Sequence, residues 1–201
     1  MINKIYPTNQ INIKKVNMVL DDFITVEEAY LTYPKFDGSM SPEVRRLNVN
    51  RGDSCCAVLY DKDSDCLLLI NQFRYPSSTK GQAFLLELPA GMIEHNDSPR
   101  NTMIREVLEE TGYEVKDPEL IRSFFTTPGI SSERCFLFYF PINRKIQKQK
   151  EGGLVSENED IQIMWLPTKQ IVSFLQNDSI QDAKTIIGLQ WFLMDDRFVR
   201  K

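Results

Sequence analysis

The stretch GMIEHNDSPRNTMIREVLEETGY, residues 91–113, carries the strongest structural pattern in this chain. Ser98 and Pro99 suit the N-cap and first turn of a helix, where a serine oxygen can accept from a free amide and proline needs no amide partner. Gly112 suits the position just after the last turn, where glycine commonly ends a helix. These residues predict one well-delimited helix between Ser98 and Gly112.

The predicted helix has two chemically different faces. Its apolar residues recur at helical spacing and can pack on a sheet: Ile104, Val107 and Leu108. Opposite them lie carboxylates at positions i, i+3 and i+4: Glu106, Glu109 and Glu110. Like charges at this spacing repel, and a divalent cation would relieve that repulsion, whereas the alternative is a solvated acidic surface without a ligand. Arg105 precedes Glu109 by one helical turn and can pair with it.

Extended segments flank this helix on both sides. The predicted strands are Lys14–Leu20, Phe23–Thr32, Glu43–Asn48, Cys55–Tyr60, Cys66–Phe73, Phe84–Leu88, Leu120–Thr126, Arg134–Phe140 and Ile161–Leu166. Two further helices are predicted from about Thr168 to Gln176 and from about Asp182 to Met194. This order favours an α/β or α+β fold. We expect a small N-terminal antiparallel sheet in residues 1–50 and a main domain in residues 51–201.

The composition is that of a globular protein and excludes several classes of function. Of the 201 residues, 42% are hydrophobic and 26% are charged, an ordinary balance for a folded domain. A net charge of −4 gives no general attraction to nucleic acid, and no apolar run is long enough to cross a bilayer. The single histidine, His95, excludes zinc and iron sites built from several histidines.

The cysteines and the N-terminus point to one compartment. The first twenty residues lack the apolar block and small-residue cleavage site of a secretory signal, so we expect a cytoplasmic protein. Cys55, Cys56, Cys66 and Cys135 form no CxxC pair. They are therefore expected to be reduced residues of the core.

The acidic helix and the loop before it also match a known pattern. The pattern is a glycine, five residues, an acid, seven residues, and then Arg-Glu-apolar-any-Glu-Glu-any-Gly-apolar, which resembles the Nudix hydrolase signature. The matching residues are Gly91, Asp97, Arg105, Glu106, Val107, Glu109, Glu110, Gly112 and Tyr113. Asp97 departs from the family, which has glutamate there. The resemblance implies the Nudix fold, a mixed sheet between helices, and hydrolysis of a diphosphate bond.

Motifs outside this stretch resemble one branch of that family, the ADP-ribose pyrophosphatases. They are DGSMS at 37–41, EVRR at 43–46, QFR at 72–74, ELPAGM at 87–92, SER at 132–134, ENEDI at 157–161 and AKTII at 183–187. The similarity runs from about residue 20 to residue 193. GDP-mannose hydrolases share much of this frame and are the nearest alternative.

The resemblance implies a role for particular residues. The metal ligands would be the carbonyl of Ala90 with Glu106, Glu110 and Glu159, and the metal would be Mg²⁺, with Mn²⁺ as a possible substitute. The catalytic residues would be Glu157 as general base, with Glu159, Glu109 and Arg105 assisting. The substrate contacts would be Arg46 and Arg74 at the diphosphate, Phe23 at the nucleobase, and Met92 and Glu133 at the terminal ribose.

The implied activity is hydrolysis of ADP-ribose to AMP and ribose 5-phosphate by a homodimer that exchanges its N-terminal sheet. No nucleic acid or membrane partner is expected. One alternative is another substrate, such as GDP-mannose, a different nucleotide sugar or an oxidised nucleotide. A second is a non-catalytic sensor of ADP-ribose, which the intact helix glutamates disfavour. Isopentenyl isomerases share the fold but need histidine metal ligands, and the single histidine of this chain disfavours that alternative.

Overall fold

The computed structural model describes residues 10–148 and 160–198. These residues form two compact units, one of residues 10–52 with 127–133 and one of residues 53–126 with the described residues from 134 onwards. The division into residues 1–50 and 51–201 stays a prediction.

The first unit is built on a three-stranded antiparallel sheet. Its strands, in the order β1-β2-β3, are β1 (Asn12–Asp21), β2 (Thr25–Thr32) and β3 (Val44–Asn50). Strand β2 begins two residues later than predicted, because the Phe23 amide turns back to donate to the Asp22 carboxylate at 2.7 Å. The polar stretch before β3 folds as the expected turn, in which the Asp37 carboxylate accepts from the amide of Ser39 at 2.9 Å.

The second unit is built on a seven-stranded mixed sheet. Its strands are β4 (Ser54–Asp61), β5 (Cys66–Phe73), β6 (Phe84–Glu87), β7 (Ala90–Met92), β8 (Glu119–Phe125), β9 (Arg134–Ile142) and β10 (Ile161–Pro167). The main order is β10-β5-β4-β9-β8, with β6 paired to β5 and β7 paired to β4. The β4–β9 pair is parallel and the other pairs are antiparallel.

Four helices belong to the second unit: α1 (Tyr75–Ser78), α2 (Pro99–Thr111), α3 (Ile171–Gln176) and α4 (Ala183–Met194). The helix predicted from about residue 168 begins as a 3-10 turn, Thr168–Gln170, before α3. Strand β7 and helix α1 were not predicted, since each is too short to show a periodic pattern. None of the described helices is long and apolar enough to cross a membrane.

Strand β4 lies in the middle of the sheet and is buried on both faces. Cys55, Ala57 and Leu59 belong to one core cluster, which α2 completes through Met103 and Val107. Cys56 and Val58 point into the opposite cluster, which α3 and α4 cover. The sheet is therefore sandwiched between helices, which confirms the predicted α+β fold. The four cysteines are buried and form no disulfide among the described residues, as expected.

Candidate functional site

The caps fix where the acidic helix α2 starts and stops. The Ser98 hydroxyl accepts from the amide of Asn101 at 3.1 Å, and Gly112 ends the helix with a φ of 72°. Asp97 adds a second cap, since its carboxylate accepts from the Ser98 amide at 2.7 Å and from the Thr102 hydroxyl at 2.8 Å. Those hydrogen bonds lower the pKa of Asp97, and the one from Thr102 has the largest effect. The predicted helix limits are confirmed.

The Glu106 carboxylate lies directly against the backbone of Gly91 in β7. A Cβ atom added at Gly91 would stand 2.1 Å from Cδ and 2.3 Å from Oε1 of Glu106. Any side chain at residue 91 would thus take the place of this carboxylate. Glycine leaves room for this close approach, which joins the acidic face of α2 to β7.

Glu110 fastens the same helix to the neighbouring residue of β7. Its Oε2 accepts a hydrogen bond from the Ala90 amide at 3.1 Å, and the residue is 2% exposed. Glu110 therefore lies buried rather than on a solvated face, which differs from the usual arrangement of an acidic helix. Ala90, Gly91, Glu106 and Glu110 together form what we call the acid bed, in which two carboxylates of α2 meet the backbone of β7.

Arg105 supplies positive charge at the edge of the acid bed. Its guanidinium lies 2.8 Å from Glu109, 3.1 Å from Glu106 and 3.4 Å from Glu94. Partial burial acts to lower the pKa of Arg105, but the charges of Glu106 and Glu109 outweigh it and raise the pKa. The predicted pairing of Arg105 with Glu109 is confirmed, and the arginine holds two of the helix acids in place.

The donor atoms of the acid bed fit a hard divalent cation. Within residues 10–148 and 160–198, no three His, Cys, Asp or Glu side chains form a group arranged to hold a metal ion. Mg²⁺ does not need such a group, because it commonly takes one or two carboxylates together with substrate phosphates and water. Glu106 and Glu110 provide two carboxylates of this kind beside β7.

Arg74 follows β5 and forms a bidentate ion pair with Glu87. Its Nε and Nη2 donate to the two oxygens of Glu87 at 2.9 and 3.1 Å, and Glu87 is 1% exposed. Burial opposes the charge of Arg74, yet Glu87 and, more weakly, Glu110 raise its pKa. Glu87 fixes the orientation of the Arg74 guanidinium. Glu110 also acts on Arg74 electrostatically, which links this arginine to the acid bed.

Three predicted substrate residues lie in the first unit. Phe23 stands in the β1–β2 turn and is 89% exposed. Arg46, on β3, donates to the carbonyl of Arg45 at 2.9 Å. The Glu133 amide donates to the Ser131 hydroxyl at 3.1 Å.

The other predicted site residues are Met92, in β7, and Glu157 and Glu159. Met92 ends β7 in the second unit, where it pairs with Ser54. Glu157 and Glu159, the predicted base and additional ligand, lie outside the described residues. Of the predicted metal ligands, Ala90, Glu106 and Glu110 are brought together within the acid bed.

Sequence reasoning gave no role to Glu87, Asp182 or Lys184. Lys184 donates to Glu87 and also to Asp182, the latter at 2.9 Å. Lys184 and Glu87 are 97 positions apart along the chain, so no local pattern predicts their contact. The sequence carried two partial signals. Glu87 and Lys184 lie in the motifs ELPAGM and AKTII, and Lys184 falls in the first turn of a predicted helix, where its charge opposes the helix dipole.

Comparison with known proteins gives a family and several relatives. The model of the NUDIX domain family matches residues 50–188. An ADP-ribose pyrophosphatase of Escherichia coli (strain K12) is 34% identical over 157 residues, covering 78% of this chain and 75% of the relative. An ADP-ribose pyrophosphatase of Haemophilus influenzae is 30% identical over 87% of this chain and 82% of its own.

A GDP-mannose pyrophosphatase of Pectobacterium atrosepticum is 27% identical over 195 residues, covering 96% of this chain and 99% of the relative. Among solved structures, one described as the crystal structure of an ADP compounds hydrolase superposes with a TM-score of 0.70. It covers 94% of this chain and 97% of its own, at 18% identity. At that identity the likeness shows a shared fold.

Proposed function

The chain belongs to the NUDIX domain family, and from this premise we propose that it hydrolyses the diphosphate bond of a nucleoside diphosphate-sugar. ADP-ribose is the leading substrate, with AMP and ribose 5-phosphate as products. The observation that carries the proposal is the acid bed, in which the Glu106 carboxylate rests on Gly91 while Glu110 binds the Ala90 amide.

The acid bed is the proposed site of a Mg²⁺ ion, for which Mn²⁺ is a substitute. A bound divalent cation neutralises phosphate charge, polarises phosphorus and lowers the pKa of a coordinated water. Glu106, Glu110 and the Ala90 carbonyl would hold it, and Glu159 would add a ligand. Glu109, the residue before Glu110 in α2, would assist catalysis. Arg105 limits the repulsion between the helix acids, since it contacts both Glu106 and Glu109.

The attacking water needs a base that is not committed to metal binding. We assign this role to Glu157, which lies close in sequence to β10. A carboxylate within about 3 Å of a water can orient it and take its proton. This assignment rests on the sequence motif.

The substrate diphosphate is anionic, so it needs local positive charge in a protein whose net charge is −4. Arg74 and Arg46 are the proposed phosphate contacts, because guanidinium groups bind phosphate oxygens in a two-pronged way. Phe23 would stack on the nucleobase, and Met92 and Glu133 would contact the terminal ribose. Stacking discriminates weakly between bases, since every base offers a similar aromatic face.

GDP-mannose is the second candidate substrate. Its support is the extent of the match to the Pectobacterium atrosepticum relative, which spans 96% of this chain, against 78% for the Escherichia coli relative. The two candidates share the diphosphate and differ in base and sugar. They therefore use the same acid bed.

A substrate panel tests the proposal. The purified chain is incubated with ADP-ribose, GDP-mannose and UDP-glucose in Mg²⁺, in Mn²⁺ and in excess EDTA, and nucleoside monophosphates are measured by chromatography. We expect AMP from ADP-ribose with the highest kcat/KM, and no product in EDTA. Tight ADP-ribose binding without AMP release would instead identify a sensor. Absence of hydrolysis for every nucleotide sugar would refute the proposed function.

We also propose a homodimer located in the cytoplasm. The dimer is supported by β1, whose exposed apolar side chains include Ile13, Val16, Met18 and Val19. The location is supported by the four cysteines, which are buried and form no disulfide among the described residues, as is usual in a reducing compartment.

A further inference from the structure

A chain of charges joins the N-terminus of α4 to Arg74. Glu87, at the end of β6, receives hydrogen bonds from Arg74 on one side and from Lys184 on the other. Lys184 in turn donates to Asp182 at 2.9 Å. The four residues carry two positive and two negative charges. Their attraction offsets the cost of burying Glu87, which is 1% exposed.

Lys184 occupies an unfavourable place for a cation. It is the second residue of α4, where the helix dipole presents partial positive charge, and its side chain is only 18% exposed. A lysine there loses hydration and opposes the dipole. Its contacts with Asp182 and Glu87 compensate for this, and they raise the pKa of Lys184 although burial alone would lower it.

The same helix start is tied to the strand region that leads into the acid bed. Oδ2 of Asp182 accepts from the amide of Thr185 at 2.9 Å and from its hydroxyl at 2.6 Å. The Thr185 oxygen accepts from the amide of Leu88 at 2.8 Å. Leu88 follows Glu87 and precedes the Pro89-Ala90 step. The position of Lys184 is thus fixed relative to the backbone that carries both Glu87 and Ala90.

Glu87 uses only part of the Arg74 guanidinium. It takes hydrogen bonds from Nε and Nη2, and a guanidinium has five N–H groups, so Glu87 leaves Nη1 to other acceptors. Without Lys184, however, the local charge would become net negative, because Glu87 and Asp182 would face Arg74 alone. That change would weaken the attraction of Arg74 for a diphosphate.

We infer that Lys184 is a positioning residue for the hydrolysis of the nucleotide sugar: it holds Glu87 so that the Arg74 fork is fixed and its positive charge stays available to the diphosphate. This inference rests on the proposed function. Lys184 acts through Glu87 and Arg74 and touches no reacting atom.

The test is a double-mutant cycle between Lys184 and Arg74. The variants are K184M, K184R, R74A and R74A/K184M, with K169M as a matched lysine-to-methionine control at an exposed position. The steady-state kcat and KM for ADP-ribose in Mg²⁺ are measured for each. The metal-free Kd for the non-hydrolysable α,β-methylene analogue of ADP-ribose is measured by calorimetry, and thermal unfolding reports the folded fraction.

We expect K184M to lower kcat/KM by roughly 10- to 100-fold, mainly through KM, and to weaken analogue binding by a similar factor. K184R should recover most of the loss, and K169M should match the wild type. In the R74A background, K184M should change kcat/KM by less than about twofold, since the contact through which Lys184 acts has been removed.

The outcomes separate the two ideas. If the wild type hydrolyses ADP-ribose and K184M keeps its KM and its analogue Kd, the positioning role is overturned and the proposed function stands. Losses that add up in the double variant also overturn it, because they indicate a structural effect independent of Arg74. A wild type that neither hydrolyses nor binds the nucleotide sugars overturns both.

Discussion

At both Gly91 and Gly188 the space for a side chain is already filled, but by different kinds of atoms. At Gly91 the space a Cβ would take is filled by the far end of a flexible side chain, the Glu106 carboxylate. At Gly188, on α4, the same atom would stand 2.6 Å from Leu88 and 3.1 Å from Val58, inside the core. A methyl group at Gly91 therefore displaces a functional group, whereas one at Gly188 overpacks the core.

Gly91→Ala is expected to lower kcat/KM by about 100-fold while changing the thermal midpoint little, because the carboxylate can move but then lies about 1 Å or more out of place. Gly188→Ala is expected to cost about 1–3 kcal/mol of unfolding free energy, with kcat per folded molecule retained. Urea titration and kinetics on both variants check the contrast. Wild-type kinetics in Gly91→Ala would show that the contact of Glu106 with Gly91 does not matter for catalysis.

Glu110→Gln isolates the charge of the buried acid. The amide oxygen of glutamine can still accept from the Ala90 amide, so the fold should persist. We expect Mg²⁺-dependent kcat to fall by about two or more orders of magnitude, the scale of lost metal or general-base assistance. Glu114→Gln, an exposed acid just after α2, is the control and should retain full activity. Near-normal turnover in Glu110→Gln would contradict the proposed acid bed.

At the scale of elements, the N-terminus of α2 has two caps. Ser98 serves the amide of Asn101, and Asp97 serves Ser98 and Thr102. The hydrogen bonds to Asp97 lower its pKa in the folded protein. A lowered folded pKa stabilises the fold above the unfolded pKa, and this contribution is lost as the pH falls through the folded value.

The contribution of Asp97 should therefore disappear below about pH 4. We expect the free energy of unfolding of the wild type to fall more steeply between about pH 5 and pH 3 than that of Asp97→Asn, which has no carboxyl to protonate. Metal-free urea unfolding at a series of pH values measures both slopes. Asp178→Asn, at an exposed turn, serves as the control. Parallel slopes for the wild type and Asp97→Asn would contradict this role for the cap.

Local sequence pattern was enough to predict most elements. Helix α2 was predictable because its caps and apolar spacing lie within fifteen residues, and β4 because a run of buried residues has no polar alternation. Leu108 was expected in the packed stripe, yet it is only half-buried, while Met103 lies fully buried in the core. Whether a residue at the border of a helical face is buried depends on the curvature of the sheet beneath it, and the sequence does not show that curvature.

The contacts that shape the site were less accessible from sequence. The sequence was enough to place Glu106 and Glu110 on one helix. It could not predict that Glu106 lies against Gly91 or that Glu110 accepts a hydrogen bond from the Ala90 amide, because both contacts depend on the geometry of β7. The ion pair of Arg74 with Glu87 joins the residue after β5 to the end of β6, and Lys184 contacts Glu87 from helix α4. Such pairings depend on tertiary packing. Composition and spacing carry no signal for them.

At the scale of the whole molecule, β1 is an unusual edge strand. It is ten residues long, lies at the end of the order β1-β2-β3, and exposes Val16 and Met18 to more than half of their full extent. Long apolar edge strands favour pairing with other chains, and proteins normally cover them. This agrees with the proposed exchange of N-terminal sheets between two subunits.

Sedimentation equilibrium is expected to give twice the chain mass of 23.4 kDa. The double variant Val16→Glu/Met18→Glu places two charges on the exposed strand and should shift the equilibrium towards the monomer, with a raised KM if the subunits share substrate contacts. Lys145→Glu, a charge change in the other unit, should remain dimeric. A monomeric wild type at micromolar concentration would refute the proposed dimer.

The parallel pairing of β4 with β9 has a consequence for folding kinetics. Ser54 pairs with Cys135, so the centre of the sheet forms only when a loop of about 80 residues closes. That loop contains β7 and α2, and with them the whole acid bed. Long-range pairings of this kind slow folding, because the entropy of loop closure is lost before the contacts form. We expect refolding in milliseconds to seconds, followed by stopped-flow fluorescence of Trp165 and Trp191, with the capacity to bind nucleotide appearing only in the final phase.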